Sequence, residues 1–284
     1  MYLKDDKIDV TIKDVTFRTS RTAVGLQFIL DPTALTGWTD GTSARRDNAL
    51  RPVSNGDFSE TATMAARLIS ISGTAVAANA AELQIMRDKF VGLLADGLYT
   101  EIAVSTTLGT RYSTVGLEGT PSWTQQGDTV AVFKLDMYAP DPHLYGGVQT
   151  FQTGSNVIVG GLKYRLSYPL NYNLSGANTI QTVKNTGNTD SWPSFIVTGD
   201  YFSGFSIDDN LGNKVTYTGM VTFSAPVTIN MAKGTATQSG VDKTTLVNNR
   251  DWFSIPAGAT IQPRFTPIQN GSGWCDIIYR DTWI

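Results

Sequence analysis

The chain has 284 residues, of which 41% are hydrophobic and 17% are charged, and its formal net charge is −3 at pH 7. This hydrophobic fraction supports packed cores and excludes a disordered chain, and the length suits two domains of ordinary size. The acidic balance argues against a nucleic-acid-binding protein, and the single cysteine, Cys275, excludes an intrachain disulfide bond and a cysteine-based zinc site.

The charged fraction is low beside the roughly 25% of a typical soluble protein. Two explanations stay open. Neighbouring subunits of a larger assembly can cover part of the surface, or Thr, Ser, Asn and Gly can replace charged residues on exposed strand faces. No stretch approaches about 18 consecutive apolar residues, so we expect no membrane span. Asp5 and Asp6 stand where a signal peptide needs an apolar core, so we expect a protein that folds in the cytoplasm.

The first residues carry strand patterns. Ile8, Val10 and Ile12 alternate with polar residues, which predicts a half-buried strand. Residues 24–30 are more continuously apolar and predict a second strand.

A long polar segment, residues 31–63, follows the second strand. Loops of this length inside a compact domain are uncommon and usually functional. We interpret the segment as an arm that reaches a neighbouring subunit. Its arginines, Arg45, Arg46 and Arg51, form either an intersubunit contact or an ordinary solvated patch.

Helical periodicity is almost confined to residues 79–96. Asn79 and Glu82 have the spacing of a capping box at the start, and Gly97 stands where a left-handed residue would end the helix. The apolar stripe of this helix is expected to pack in the core and consists of Leu83, Met86, Phe90 and Leu94.

Three more strands are predicted over residues 98–106, 110–116 and 129–138. Pro140 and Pro142 then interrupt the pattern, because prolines two apart cannot continue a central strand and stiffen a connector. We therefore predict an N-terminal domain over residues 1–145 and a C-terminal domain over residues 146–284. Short β segments separated by turn residues predict an antiparallel sandwich for the second domain.

Residues that could carry catalysis are scarce. His143 is the only histidine and has no nucleophile motif beside it, so we interpret it as a packing or hydrogen-bonding residue. Residues 208–213 faintly resemble a calcium loop but lack the spacing and the closing glutamate of an EF-hand, so we predict a turn. The sequence predicts no catalytic residue, no metal, no cofactor and no enzyme activity.

Tryptophans are concentrated in the C-terminal half. Trp192 and Trp252 are candidates for carbohydrate contact, since the apolar face of a sugar ring fits an aromatic surface. Filling the core of the sandwich is the alternative, and strand alternation favours it.

Three segments carry a resemblance to a known family. Residues 130–146 (VAVFKLDMYAPDPHLYG) combine a strand with a proline-containing junction, and residues 185–199 place Asn185, Gly187 and Pro193 at matching points. The ending WCDIIYRDTWI looks like the final strand of tail proteins from phages of actinobacteria. Together with the early strands and the single helix, these segments resemble the distal tail protein (Dit) of siphophages, while residues 31–63 match nothing in that family.

The resemblance implies a mainly β fold. The N-terminal domain would be a β-sandwich or split barrel with one α-helix, and the C-terminal domain a galectin-like β-sandwich. Six N-terminal domains would form a ring at the virion tail tip, between the tail tube protein and the tail hub or tail-associated lysin, after assembly in the host cytoplasm. The C-terminal domains would carry receptor-binding proteins or contact a host glycan, and DNA would pass through the lumen without specific binding.

Three other functions remain as alternatives. A tail tube subunit would form stacked tubes rather than a discrete ring. A carbohydrate-binding module would use the exposed tryptophans. A glycosidase needs a pair of carboxylates around the scissile bond, and no pair in this sequence stands out for that role.

Overall fold

The structure is a computed structural model that describes residues 7–19, 27–31, 33–46, 48–58, 61–154 and 181–284. Its contacts divide the chain into two compact units, Met1–Gly146 with Ile284 and Gly147–Trp283. The predicted mainly β fold with one α-helix is confirmed for the described residues.

The first unit contains the α-helix and the strands that precede and follow it. In chain order its elements are β1 (Asp9–Ile12), β2 (Val15–Arg18), β3 (Gln27–Leu30), β4 (Ala44–Arg45), β5 (Ala49–Leu50), β6 (Asp57–Phe58), β7 (Thr63–Met64), β8 (Arg67–Val76), α1 (Ala80–Gly92), β9 (Thr100–Thr106), β10 (Gly109–Gln125), β11 (Val130–Ala139) and β12 (Leu144–Tyr145).

Seven of these strands close into a barrel. Their order is β8-β3-β2-β1-β9-β10-β11, and β11 pairs back with β8. All pairings are antiparallel except that of β2 with β3, which is parallel. One face of β11 points into the barrel and is buried, because side chains alternate between the two sides of a strand; it consists of Ala131, Phe133, Leu135 and Met137.

Four phenylalanines fill the barrel interior. Phe17, Phe28 and Phe133 come from strands and Phe90 from α1, and all six ring–ring centroid distances lie between 5.0 and 6.4 Å. Tilted and edge-on pairs of this kind add roughly 0.5–1.5 kcal/mol each beyond the burial of their area. The helix is therefore packed into the barrel rather than lying free beside it.

The helix begins as predicted and ends four residues before the predicted end at residue 96. The side chain of Asn79 accepts a hydrogen bond from the Glu82 amide at 2.9 Å, and the Glu82 carboxylate accepts one from the Ala78 amide at 3.1 Å. After Gly92 the chain continues in single turns to Gly97, whose φ is +70°. The whole predicted apolar stripe is buried.

Two strands, β2 and β10, differ clearly from the predictions. The sequence pattern did not predict β2, and β10 runs nine residues beyond the predicted end at residue 116. The strand predicted over residues 24–30 is β3, and residues 24–26 lie outside the described residues.

The described residues of the second unit, 147–154 and 181–283, form mostly β-strands. In chain order it contains β13 (Gln149–Gly154), β14 (Val183–Lys184), β15 (Ser194–Asp200), β16 (Phe205–Asp208), β17 (Lys214–Tyr217), β18 (Val227–Asn230), β19 (Thr235–Gln238), β20 (Val241–Asp242), a 3-10 helix (Thr244–Leu246), β21 (Val247–Arg250), β22 (Thr260–Ile261), β23 (Arg264–Pro267), β24 (Ser272–Tyr279) and β25 (Thr282–Trp283).

Two antiparallel sheets enclose the core of this unit. One has the order β13-β24-β15-β18-β19-β20, and the other has the order β21-β17-β16-β23. Both sheets contribute to one cluster of buried side chains, for example Val197 and Ile277 from the first and Ile207 and Phe265 from the second. The predicted antiparallel sandwich is confirmed.

The Asn185–Gly187 turn has a structural explanation. Asn185 is fully buried, its amide nitrogen donates to the carbonyl oxygens of Thr189 and Ile255, and its amide oxygen accepts from the backbone N–H groups of Gly187 and Thr282. A Cβ atom on Gly187 would lie 1.8 Å from the Thr282 carbonyl oxygen. Both residue types are therefore required by packing.

Candidate functional site

Only the later part of the segment predicted as an arm, residues 31–63, is a two-stranded hairpin, because Leu35 and Trp38 in its earlier part are buried. β4 pairs with β7 and, further along the segment, β5 pairs with β6, so the chain runs out and returns antiparallel. Gly56, with φ +92°, lies in the turn, and its carbonyl oxygen accepts from the Arg51 amide at 3.2 Å. We call residues 43–64 the arm.

The arm has no core of its own. Every described residue from 43 to 58 is exposed. The exposed residues include large apolar ones: Leu50 is 83% exposed, Val53 95% and Phe58 58%. The segment therefore carries an apolar surface, although its overall composition reads as polar.

All three predicted arginines lie on the arm and are exposed. Arg45 belongs to β4, opposite Thr63, and Arg46 follows it directly. The guanidinium carbon of Arg51 lies 5.3 Å from the centroid of the Phe58 ring, a cation–π contact. The arginines share the arm, but they belong to different parts of it.

The root of the arm is held by Arg67, at the start of β8. Its Nη1 donates to the carbonyl oxygens of Gly37 (2.8 Å), Trp38 (3.2 Å) and Asp40 (2.7 Å), and its Nε donates to that of Pro142 (3.0 Å). Burial lowers the pKa of Arg67, and the nearby charge of Asp40 partly offsets this effect. Nothing in the sequence distinguished Arg67 from a surface arginine, because its acceptors are backbone groups.

A cleft opens on the outer side of the barrel. On the outward face, Leu68 of β8, Tyr138 of β11 and Gly116 of β10 form one row across three paired strands. The ring of Tyr99 covers Gly116, where a Cβ atom would lie 3.0 Å from it. The cleft beside these residues has a volume of about 330 Å³. We call it the tyrosine cleft.

An acidic row borders the tyrosine cleft. The next outward positions on the same strands are Ser70, Asp136 and Glu118. Hydrogen bonds from Ser70 and Lys134 lower the pKa of Asp136, whose carboxylate lies 2.9 Å from the Lys134 amino group. Glu118 is exposed, and its carboxylate makes no hydrogen bond or ion pair within the described part of the chain.

His143 makes the hydrogen bonds expected of it. Its Nδ1 lies 2.6 Å from Oδ1 of Asp141, and the Tyr145 hydroxyl donates to Oδ2 of the same carboxylate. Burial alone would raise the pKa of Asp141, and the hydrogen bonds from His143 and Tyr145 outweigh it and lower the pKa. Within the described ranges, no group of three or more His, Cys, Asp or Glu side chains could hold a metal ion.

Residues 208–213 form the β16–β17 turn, as predicted. The buried carboxylate of Asp209 accepts from the backbone amides of Leu211 and Asn213 and from the Asn213 side chain. Asn210 has φ +61°. Amide groups therefore occupy the carboxylate oxygens that a calcium ion would need.

The two predicted tryptophans differ in environment. Trp252 is half-buried and packs against the sandwich core, whereas Trp192 is 46% exposed. The bridge between Ser191 and Ile255 places Trp192 beside Ser254, whose hydroxyl donates to the Asp190 carboxylate at 2.8 Å.

The fold is similar to that of phage tail proteins of known structure. The Dit protein of phage SPP1, described as a paradigm of the hub adsorption apparatus in phages that infect Gram-positive bacteria, matches with a TM-score of 0.60 and 12% identity over 90% of this chain and 94% of that one. This chain has a Dit-like fold. The predicted resemblance is thereby confirmed for the fold.

A second solved structure agrees. A chain of the phage P2 baseplate in its activated conformation with calcium has a TM-score of 0.50 and 12% identity, covering 97% of this chain and 98% of that one. No protein-family profile matches the sequence, and no curated protein sequence does. No helix among the described residues is long and apolar enough to cross a membrane.

Proposed function

We propose that this protein is a non-enzymatic structural component of a bacteriophage tail, a distal tail protein that forms a ring at the tail tip. The observation that carries the proposal is the Dit-like fold, which extends over both units and 90% of the chain. The ring, of six copies, joins the tail tube protein to the tail hub or tail-associated lysin. The C-terminal unit, a galectin-like domain, faces receptor-binding proteins.

The physical requirements of a ring support this proposal. A closed ring needs heterologous contacts, in which one surface of a subunit meets a different surface of the next. The arm provides a projecting apolar surface for such a contact. A lumen that lets DNA pass must not bind phosphates, and a net charge of −3 is compatible with that.

Replacing residues 46–62 with Asn-Gly tests the role of the arm. The two new residues form a hairpin turn between Arg45 and Thr63, which are paired in β4 and β7. Trp38 and the Arg67 contacts are left in place, so the protein folds. We expect folded monomers where the unaltered protein forms rings, measured by light scattering and negative-stain electron microscopy. If the shortened protein still forms intact rings, the arm is not the contact that holds neighbouring subunits together.

Contact with a host glycan is a second candidate function, favoured by the surroundings of Trp192. Trp192 and Asp190, two positions apart in the sequence, are both exposed, and an indole and a carboxylate offer a stacking face and a hydrogen-bond acceptor for a sugar ring. We expect Trp192→Ala to abolish glycan-array binding with unchanged thermal stability. Trp252→Ala is the contrasting variant, since Trp252 packs on the core and its loss lowers stability. Unchanged glycan binding by Trp192→Ala contradicts this function.

A further inference from the structure

The arm needs a partner surface. An isolated two-stranded hairpin is only marginally stable in water, and exposed strand edges are normally paired or covered. The arm has two ladders of two residue pairs each, with Leu50, Val53 and Phe58 exposed along it. Another molecule must therefore cover this surface for the arm to hold one conformation.

The tyrosine cleft has complementary features. It is concave, and its lining includes Tyr99, which is 57% exposed, together with Leu117 and Tyr138. Leu68, which is 62% exposed, is the strand partner of Tyr138. The pairing of β10 with β11 shifts register between Glu118 and Ser122, and such an irregularity bends and twists the strand beside the cleft.

The arm and the tyrosine cleft carry opposite charges that would orient a contact between them. Arg51, stacked on Phe58, is the cation at the tip of the arm, and Glu118 is an exposed carboxylate with no partner among the described residues. The neighbouring Asp136 is already paired with Lys134. One arm cation and one cleft anion are thus available to each other.

We infer that the arm of one copy binds the tyrosine cleft of a second copy, with Phe58 and Leu50 against Tyr99 and Tyr138 and with Arg51 paired to Glu118. Within one chain the arm and the cleft are both exposed, so each is open to another molecule. The arm leaves the barrel beside β8, whereas the lining of the cleft comes from β10, from β11 and from the segment that follows α1. The two surfaces are therefore different parts of one barrel, as a heterologous contact requires. This inference rests on the proposed ring.

A charge swap tests the pairing. We expect Arg51→Glu and Glu118→Arg each to weaken association between copies by about tenfold or more, because like charges then face each other. The double variant R51E/E118R regains association. Sedimentation equilibrium measures the effect, and Glu118→Gln serves as a milder variant with an intact fold. Wild-type association by Glu118→Arg, or no recovery in the double variant, overturns the contact.

Cross-linking separates this contact from the ring itself. The chain's own Cys275 is buried, which raises the pKa of its thiol and keeps it unreactive. A short bis-maleimide is expected to give covalent dimers and higher oligomers with the double variant Arg51→Cys, Glu118→Cys. The matched control pairs Arg51→Cys with Leu108→Cys, at an exposed turn.

The two readouts have distinct meanings. Rings by electron microscopy with no more cross-linking at Glu118 than at Leu108 overturn the arm–cleft contact and leave the proposed ring. Cross-linking at Glu118 without rings supports the contact and contradicts the ring.

Discussion

Arg67 shows how one side chain fixes the place where the arm leaves the barrel. Its guanidinium donates hydrogen bonds to four carbonyl groups that lie between 27 and 75 residues away in the sequence. A planar guanidinium with five donors can serve several acceptors at once, which a lysine cannot. The root of the arm is therefore fixed by these hydrogen bonds, although the arm itself is exposed and has no core.

We predict that Arg67→Met lowers the free energy of unfolding by about 2–4 kcal/mol, because four carbonyl groups at a buried site lose their donor. Urea denaturation measures the change, and hydrogen exchange at residues 37–40 reports the loosened root. Arg45→Met, on the exposed arm, is the control and shifts stability by less than about 0.5 kcal/mol. Equal effects of the two variants would contradict the role assigned to Arg67.

The elements differ in how well the sequence predicts them. The helix was predicted from Asn79 onward because its cap and its apolar stripe are local features of the sequence. The closure of the barrel was not predicted, since it depends on the β10–β11 and β11–β8 pairings between distant residues. The four-residue strand β2 is too short to give a clear alternation.

The candidate site was predicted only in part. The length of the polar segment indicated an arm, but its ladders are two residues long and leave no periodic pattern. The tyrosine cleft was missed entirely. Gly116, Tyr138 and Leu68 meet only through strand register, and no motif signals such a row.

The contribution of the N-terminal cap of α1 to stability can be tested by substitution. Removal of the Asn79 side chain leaves the Glu82 amide without its acceptor. We predict that Asn79→Ala costs about 1 kcal/mol of stability, and that Asn79→Asp, which keeps the acceptor, costs much less. Thermal unfolding followed by circular dichroism measures both. Equal losses of stability in the two variants would contradict a stabilising hydrogen bond between the residue 79 side chain and the Glu82 amide.

The whole molecule combines a barrel unit, a sandwich unit and an exposed arm. The structure supports both explanations of the low fraction of charged residues. Three of the outward positions of β8 are Ser70, Ser72 and Thr74, which carry hydroxyl groups in place of charges. The arm and the tyrosine cleft, in contrast, expose apolar side chains of the kind that a neighbouring subunit covers.

The position of the protein in the virion tests the central claim most directly. A cryo-electron microscopy map of the phage tail locates the protein and counts its copies. We expect a single ring of six copies at the distal end of the tail tube, with each arm on the barrel of the next copy. Copies stacked along the whole tube would make it a tube subunit, and density outside the tail would contradict the account altogether.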